Sequence, residues 1–147
     1  MSKSSYIYVS YIRSTPDKVW DALTKPEFQK IYWGGTYQDT DWKPGSAWKM
    51  MLSDGRVADQ GEVIEADRPK RIVLKWRNEF RPELKDEGWS RCVMDIEPQG
   101  EMTKLTITHS IDRDDSKFIV AVSGGWPKIL SSMKSYLETG KPLPDGK

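Results

Sequence analysis

Apolar side chains recur at every second position between Thr36 and Ile111, and at helical spacing on both sides of that stretch. A period of two belongs to strands and a period near 3.6 to helices, so the chain combines one run of strands with helices before and after it. Lys43-Pro44-Gly45, Ser53-Asp54-Gly55, Asp67-Arg68-Pro69 and Pro98-Gln99-Gly100 read as turns that cut the run into antiparallel strands. Within it Trp48, Met50 and Leu52 share a face, as do Ile72, Leu74 and Trp76, with Lys75 and Arg77 opposite. Cys92, Met94 and Ile96 form a third such row, and Leu105, Ile107 and His109 a fourth. One face of the sheet is therefore apolar and must be covered.

The cover lies at the C-terminal end. Val122, Trp126, Ile129, Leu130, Met133 and Leu137 fall at offsets 0, 4, 7, 8, 11 and 15, one stripe of a long amphipathic helix that Gly140 ends. Gly124-Gly125-Trp126-Pro127 predicts a kink there or two abutting helices, because Pro127 has no N–H for the carbonyl four residues back. Residues 141–147 read as a flexible Pro/Gly tail. At the other end Ser5–Arg13 reads as a strand, after which Thr15, Pro16 and Asp17 supply the cap, the fixed φ and the negative charge of a helix start. Val19, Trp20 and Leu23 share a face of that helix. Pro26 divides it from a second short one, with Phe28, Ile31 and Tyr32, that Gly34-Gly35 stops. Asn78–Gly88 reads as a solvated loop of mixed charge. The expected fold is one α+β domain spanning 1–147, with its core at 5–140. A curved antiparallel sheet of six to seven strands wraps a long C-terminal helix, and two short helices follow the first strand.

Composition narrows the function. With 23 basic against 22 acidic side chains, no net field draws the chain to nucleic acid or an anionic membrane. Cys92 and His109 are single copies of their types, too few for an internal disulfide or a Cys-rich zinc site, so neither a metal nor another cofactor is expected. The start of the chain lacks an apolar stretch behind a basic segment, and the longest later apolar run, Phe118 to Val122, is too short to cross a bilayer. A cytoplasmic protein without membrane insertion is the expectation. Seven Trp, six Tyr and six Met supply aromatic and polarizable surface instead.

Pro16-Asp17-Lys18-Val19-Trp20-Asp21-Ala22-Leu23-Thr24, Gly61-Glu62-Val63-Ile64, Pro69-Lys70-Arg71-Ile72-Val73, Thr108-His109-Ser110 and Gly125-Trp126-Pro127-Lys128-Ile129-Leu130-Ser131-Ser132 occur in this order. Together they resemble the activator of heat-shock-protein-90 ATPase homologue family, a branch of the START-like (SRPBCC) superfamily, over essentially residues 5 to 140. The resemblance implies a helix-grip fold with a hydrophobic cavity. It does not choose a reaction, since the superfamily includes lipid carriers, hormone receptors, polyketide cyclases and oxygenase subunits.

Trp33, Trp48, Met50, Trp76, Met94, Trp126 and Met133 are the residues expected to line such a cavity, whether as ordinary core or as the wall around a greasy or planar guest. Asp59 and His109 are its candidate polar handles. Burial would raise the Asp59 pKa, and a neutral His109 is equally at home as a hydrogen-bonded core residue. Side by side the two would make an acid–base pair. Cys92 reads as an inert buried thiol, and Arg77, Arg81 and Arg91 as members of the mixed-charge surface rather than an anion clamp. Gly34-Gly35 and Gly124-Gly125 lack the setting of phosphate loops, so backbone geometry is their expected use. The leading expectation is a monomer or weak homodimer that binds a small hydrophobic or aromatic molecule. A cyclase- or hydrolase-like enzyme and a chaperone-associated interaction domain are the alternatives. Trp42 and Trp89 remain unplaced, Trp89 being out of phase with Cys92, Met94 and Ile96.

Overall fold

A computed structural model describes residues 3–144. In chain order its elements are β1 (Ser4–Ile12), α1 (Pro16–Thr24), α2 (Pro26–Tyr32), β2 (Tyr37–Asp39), β3 (Ala47–Met51), β4 (Val57–Asp67), β5 (Arg71–Asn78), α3 (Pro82–Lys85), β6 (Ser90–Gln99), β7 (Met102–Ile111) and α4 (Lys117–Thr139). The strands form one seven-stranded sheet in the order β1-β7-β6-β5-β4-β3-β2, every pair antiparallel. This is the α+β helix-grip arrangement expected from the change of period.

The start of α1 follows the cap chemistry in the sequence: the Thr15 hydroxyl accepts from the Lys18 N–H at 3.2 Å, with Pro16 at the first helical position. Gly34 and Gly35, both at positive φ, end α2 and turn the chain into β2. Two fully buried glutamines then tie these pieces to the sheet. Gln29 Nε2 and Gln38 Nε2 both donate to the Leu23 carbonyl, and the Gln38 N–H donates to Gln29 Oε1. Gln38 Oε1 in turn accepts from Trp48 Nε1 at 2.9 Å. Each of these buried polar groups is thereby satisfied, the condition under which burial is tolerated.

The register places Gly61 of β4 between Trp48 of β3 and Trp76 of β5. Trp48 and Trp76 meet there with ring centroids 4.5 Å apart. A Cβ at position 61 would lie 1.7 Å from the Lys75 carbonyl oxygen, so the two backbones can approach this closely only at glycine. Register shifts at Met50/Met51 and at Val63/Glu65 bend the sheet on either side.

Two expectations need correction. Of the two alternatives at 124–127, a pair of abutting helices is overturned, since one helix runs from Lys117 to Thr139 with Pro127 inside it. Contacts at both ends anchor it. At its start Glu87 accepts from the Lys117 and Phe118 N–H groups and the Ser116 hydroxyl. Near its end Lys134 Nζ donates to the Tyr11 carbonyl and Glu138 accepts from the Arg13 N–H, which also covers part of the free edge of β1. The 78–88 stretch is also more than a loop: it contains α3, whose Leu84 is buried in the core. Residues 141–144 carry no regular element but are tied to α4 by Ser135 Oγ to the Lys141 carbonyl and by the Leu143 N–H to Ser132 Oγ. The rest of the expected tail, residues 145–147, lies outside the described residues.

Candidate functional site

The sheet and α4 do not meet everywhere. Beside Gly125 they leave a cleft of about 250 Å³. A Cβ added at Gly124 or Gly125 would meet nothing within 4 Å, and both residues lie within the regular helix. Neither close approach nor unusual φ explains this glycine pair, contrary to the sequence-based expectation. Gly125 leaves the helix without a side chain where it borders the cleft, whereas Gly124 is exposed and does not line it. The sheet contributes Met50 from β3, Asp59 from β4, and Trp76 and Asn78 from β5; α4 contributes Phe118, Val122, Trp126 and Ile129. Trp33, Leu52 and Leu84 come from the segments next to the sheet edge.

Among these mostly apolar residues two polar atoms stand out. Asp59 Oδ1 and Trp76 Nε1 are buried, and neither makes a hydrogen bond of good geometry within the protein, although the indole lies near enough to the carboxyl to favour its charged form. Asp59 is 9% exposed and Trp76 4%. Burial raises the Asp59 pKa to about 7. The nearby Trp76 indole and Asn78 amide favour its charged form and partly oppose burial, and the negative charge of Glu79 adds to the rise. Asp59 is buried because it lies on the cleft face of β4, between Met50 of β3 and Asn78 of β5 in the register.

His109 has a different environment. Trp126 Nε1 donates to its Nδ1 at 3.2 Å, which leaves Nε2 to carry the ring proton of the neutral form and to donate to Ser90 Oγ at 2.9 Å. Ser90 Oγ donates onward to the Trp76 carbonyl at 2.8 Å. The relay is complete, and burial holds the imidazole pKa down at about 3. No hydrogen bond joins His109 to Asp59, and both ring nitrogens of His109 are already engaged. The acid–base pair allowed by the strand faces is not formed.

Residues 13–138 match the family described as Activator of Hsp90 ATPase homolog 1-like protein. The chain belongs to that family. Solved structures with the same fold include protein MLL2253 from Mesorhizobium loti, with TM-score 0.78 and 20% identity over 92% of this chain and 97% of that one. PFC0360w, an HSP90 activator from Plasmodium falciparum, has TM-score 0.73 and 20% identity over 94% and 97%. DynU16, from the dynemicin biosynthetic locus, has TM-score 0.75 and 19% identity over 97% of this chain and 55% of its own. Among curated proteins no match was found.

In this Activator of Hsp90 ATPase homolog 1-like chain the nine candidate residues fall into two groups. Trp33, Met50, Asp59, Trp76 and Trp126 line the cleft, whereas Trp48, Met94, His109 and Met133 are enclosed in the core and do not reach it. Hydrogen bonding does not follow this division, since Trp126 lines the cleft with its indole bonded. The Trp48 indole is held by Gln38 and the Trp126 indole by His109, while the Trp76 indole has no partner. Cys92 is buried, and desolvation pushes its thiol well above the ordinary range. The two unplaced tryptophans lie outside the cleft. Trp42 donates to the Thr24 carbonyl at the end of α1. Trp89, just before β6, is exposed beneath Lys75 and Arg77, at 4.7 and 4.3 Å.

Residues missed by the sequence reading include Leu84, Asn78 and Phe118 in the cleft lining and Gln29 and Gln38 behind it. Phe118 begins α4 before the stripe counted from Val122, and one further turn of the same periodicity would have found it. The buried glutamines left no such signal. Among the described residues, no helix is long and apolar enough to cross a membrane.

Proposed function

We propose that this chain holds a small hydrophobic or aromatic molecule in the cleft between the sheet and α4. The observation that carries the reading is the unpartnered pair Asp59 Oδ1 and Trp76 Nε1 within otherwise apolar walls. Buried polar groups are normally bonded, and a bound guest is one way of satisfying those that are not. The volume lies just below the usual ~300–1,000 Å³ range for ligand pockets, which favours a small guest. The family's fold is compatible with this use.

Gly125 supplies the test. Gly125→Leu would place a side chain in the cleft without replacing Asp59 or Trp76. A panel of lipids, aromatic compounds and polyketides should contain a member that raises the melting temperature of the wild-type protein, a hundredfold excess over Kd being worth ~2.7 kcal/mol. The Gly125→Leu protein should not respond. A wild-type protein indifferent to the whole panel, or a plugged variant that binds equally well, would refute the reading.

Family membership supports a second reading, contact with an Hsp90-type chaperone through the outer surface. Titration against that chaperone tests it, with stimulated ATP hydrolysis as the expected result and absence of association as the refutation. An enzymatic use of the cleft would rest on Asp59 as its proton-transfer group, because His109 is engaged elsewhere.

A further inference from the structure

The sign of charge that the cleft accepts can be read from its walls, given the small-molecule reading above, on which this inference rests. Among the described residues that line it, none is Lys, Arg or His; the single ionisable group is Asp59. Basic residues nearby are occupied elsewhere. Arg77 and Lys85 pair with Glu79, and Arg81 pairs with Glu83. An anionic guest would therefore enter a site with no countercharge and one carboxyl, the arrangement that opposes it most strongly.

Three tryptophans complete the setting. Trp126 is central, with the Trp33 centroid 6.1 Å away at an interplanar angle of 54° and the Trp76 centroid 5.7 Å away at 71°. Such mutually inclined rings form a corner instead of a parallel slot, and aromatic rings around a carboxylate are the usual surroundings of an alkylammonium group. The Trp76 indole and the Asn78 amide lie where they favour ionised Asp59, so the carboxylate has support on its protein side.

We infer that the cleft selects a hydrophobic ammonium compound, its cationic nitrogen paired with the Asp59 carboxylate and its substituents set among Trp33, Trp76 and Trp126. The groups that face Asp59 bear on the pH dependence. They are Asn78 and Trp76 on β5, Met50 on β3, uncharged Val122, Gly125 and Trp126 on α4, and Glu79 beyond β5 as the charged influence. With Asp59 titrating near 7, a cation that requires the carboxylate should bind about a hundredfold more weakly at pH 5 than at pH 8. A neutral carbonyl compound, which would take a hydrogen bond from protonated Asp59, should show the opposite trend.

Four probes of equal length decide the matter by calorimetric titration at pH 5 and pH 8: 2-phenylethylammonium, phenethyltrimethylammonium, 2-phenylethanol and 3-phenylpropanoate. Both ammonium compounds should bind best, the alcohol about tenfold more weakly and the carboxylate least, with ammonium affinity rising with pH. In Asp59→Asn the preference for ammonium over the alcohol and the pH dependence of ammonium binding should disappear. The pH series on the wild type tests the same point if that variant fails to fold. Equal or better binding of the alcohol or the carboxylate, or ammonium binding that strengthens as pH falls, overturns the charge assignment and leaves the small-molecule reading standing. Binding of none of the four overturns the charge assignment, and the broader reading then stands or falls on the panel and the Gly125→Leu comparison.

Discussion

Replacing Asp59 by Asn should stabilise the protein, and by an amount that grows with pH. The carboxyl titrates at 3.8 when unperturbed and at about 7 in the fold. Between those values the folded state binds more protons than the unfolded state, so stability falls as pH rises through the window and levels off above pH 7. Integrating that difference, Asp59 costs the wild type about 1.7 kcal/mol at pH 5 and about 4 kcal/mol at pH 8. Asn keeps the shape and cannot ionise. Whatever its amide costs to bury is the same at both pH values and cancels in the comparison. The advantage of Asp59→Asn over wild type should therefore be about 2.5 kcal/mol larger at pH 8 than at pH 5, or roughly 5–10 °C in melting temperature. Urea unfolding followed by tryptophan fluorescence at the two pH values measures it directly. An advantage that is independent of pH, or larger at pH 5, would show that Asp59 is not held near 7 by burial, and the case for an unusual carboxyl in the cleft would fail.

His109, with its pKa near 3, should show no imidazole titration by NMR between pH 5 and pH 8, and a midpoint near 6 would contradict the Trp126–His109–Ser90 relay. His109→Phe should cost about 1–3 kcal/mol in urea unfolding, because it leaves the Trp126 indole N–H without its acceptor. Gly61→Ala should cost more than ~3 kcal/mol or prevent folding, since its Cβ overlaps the β5 backbone; a near-neutral result would refute that close approach. Glu87→Ala should cost ~1–2 kcal/mol through the lost cap of α4. Burial pushes the Glu87 carboxyl up, but the Ser116 hydroxyl, the Lys117 and Phe118 N–H groups and Arg113 together outweigh it and hold the pKa below the ordinary range. Its contribution is thus present above about pH 4.5 and lost as pH falls, so the variant and wild type should converge in acid.

The order of elements was legible because periodicity and punctuation are local. Thr15-Pro16-Asp17 announces α1, and Gly34-Gly35 marks the end of α2. The inward rows of β5, β6 and β7 follow from alternation alone. At Pro127 local sequence left a bent helix and two abutting ones both open, because the ties at Glu87, Lys134 and Glu138 that anchor the two ends of one continuous helix come from distant parts of the chain. Site membership was harder to read. Alternation shows that Trp48 and Trp76 share a face, but only the fold shows which indole finds an acceptor. Gln38 comes from β2, ten residues before Trp48, and neither its burial nor its partner has a signature in the pattern.

That difference in hydrogen bonding marks out one spot on the cleft wall. Trp48, Trp126 and His109 are large, buried and amphipathic, and each has its polar atoms engaged within the protein. Such groups add stability and fix one arrangement, as a satisfied network does. Trp76 lies beside all three, with its ring 4.5 Å from Trp48, 5.0 Å from His109 and 5.7 Å from Trp126, yet its own N–H and the Asp59 oxygen make no hydrogen bond of good geometry. A fold optimised for stability alone would place an apolar residue at 59, because an acid that costs more as pH rises adds nothing to packing. The satisfied network fixes the position of the unsatisfied pair, and Gly125 leaves space in front of it. Stability given up at one carboxyl, beside a wall that is otherwise fully bonded, is the pattern of a group kept for something outside the chain.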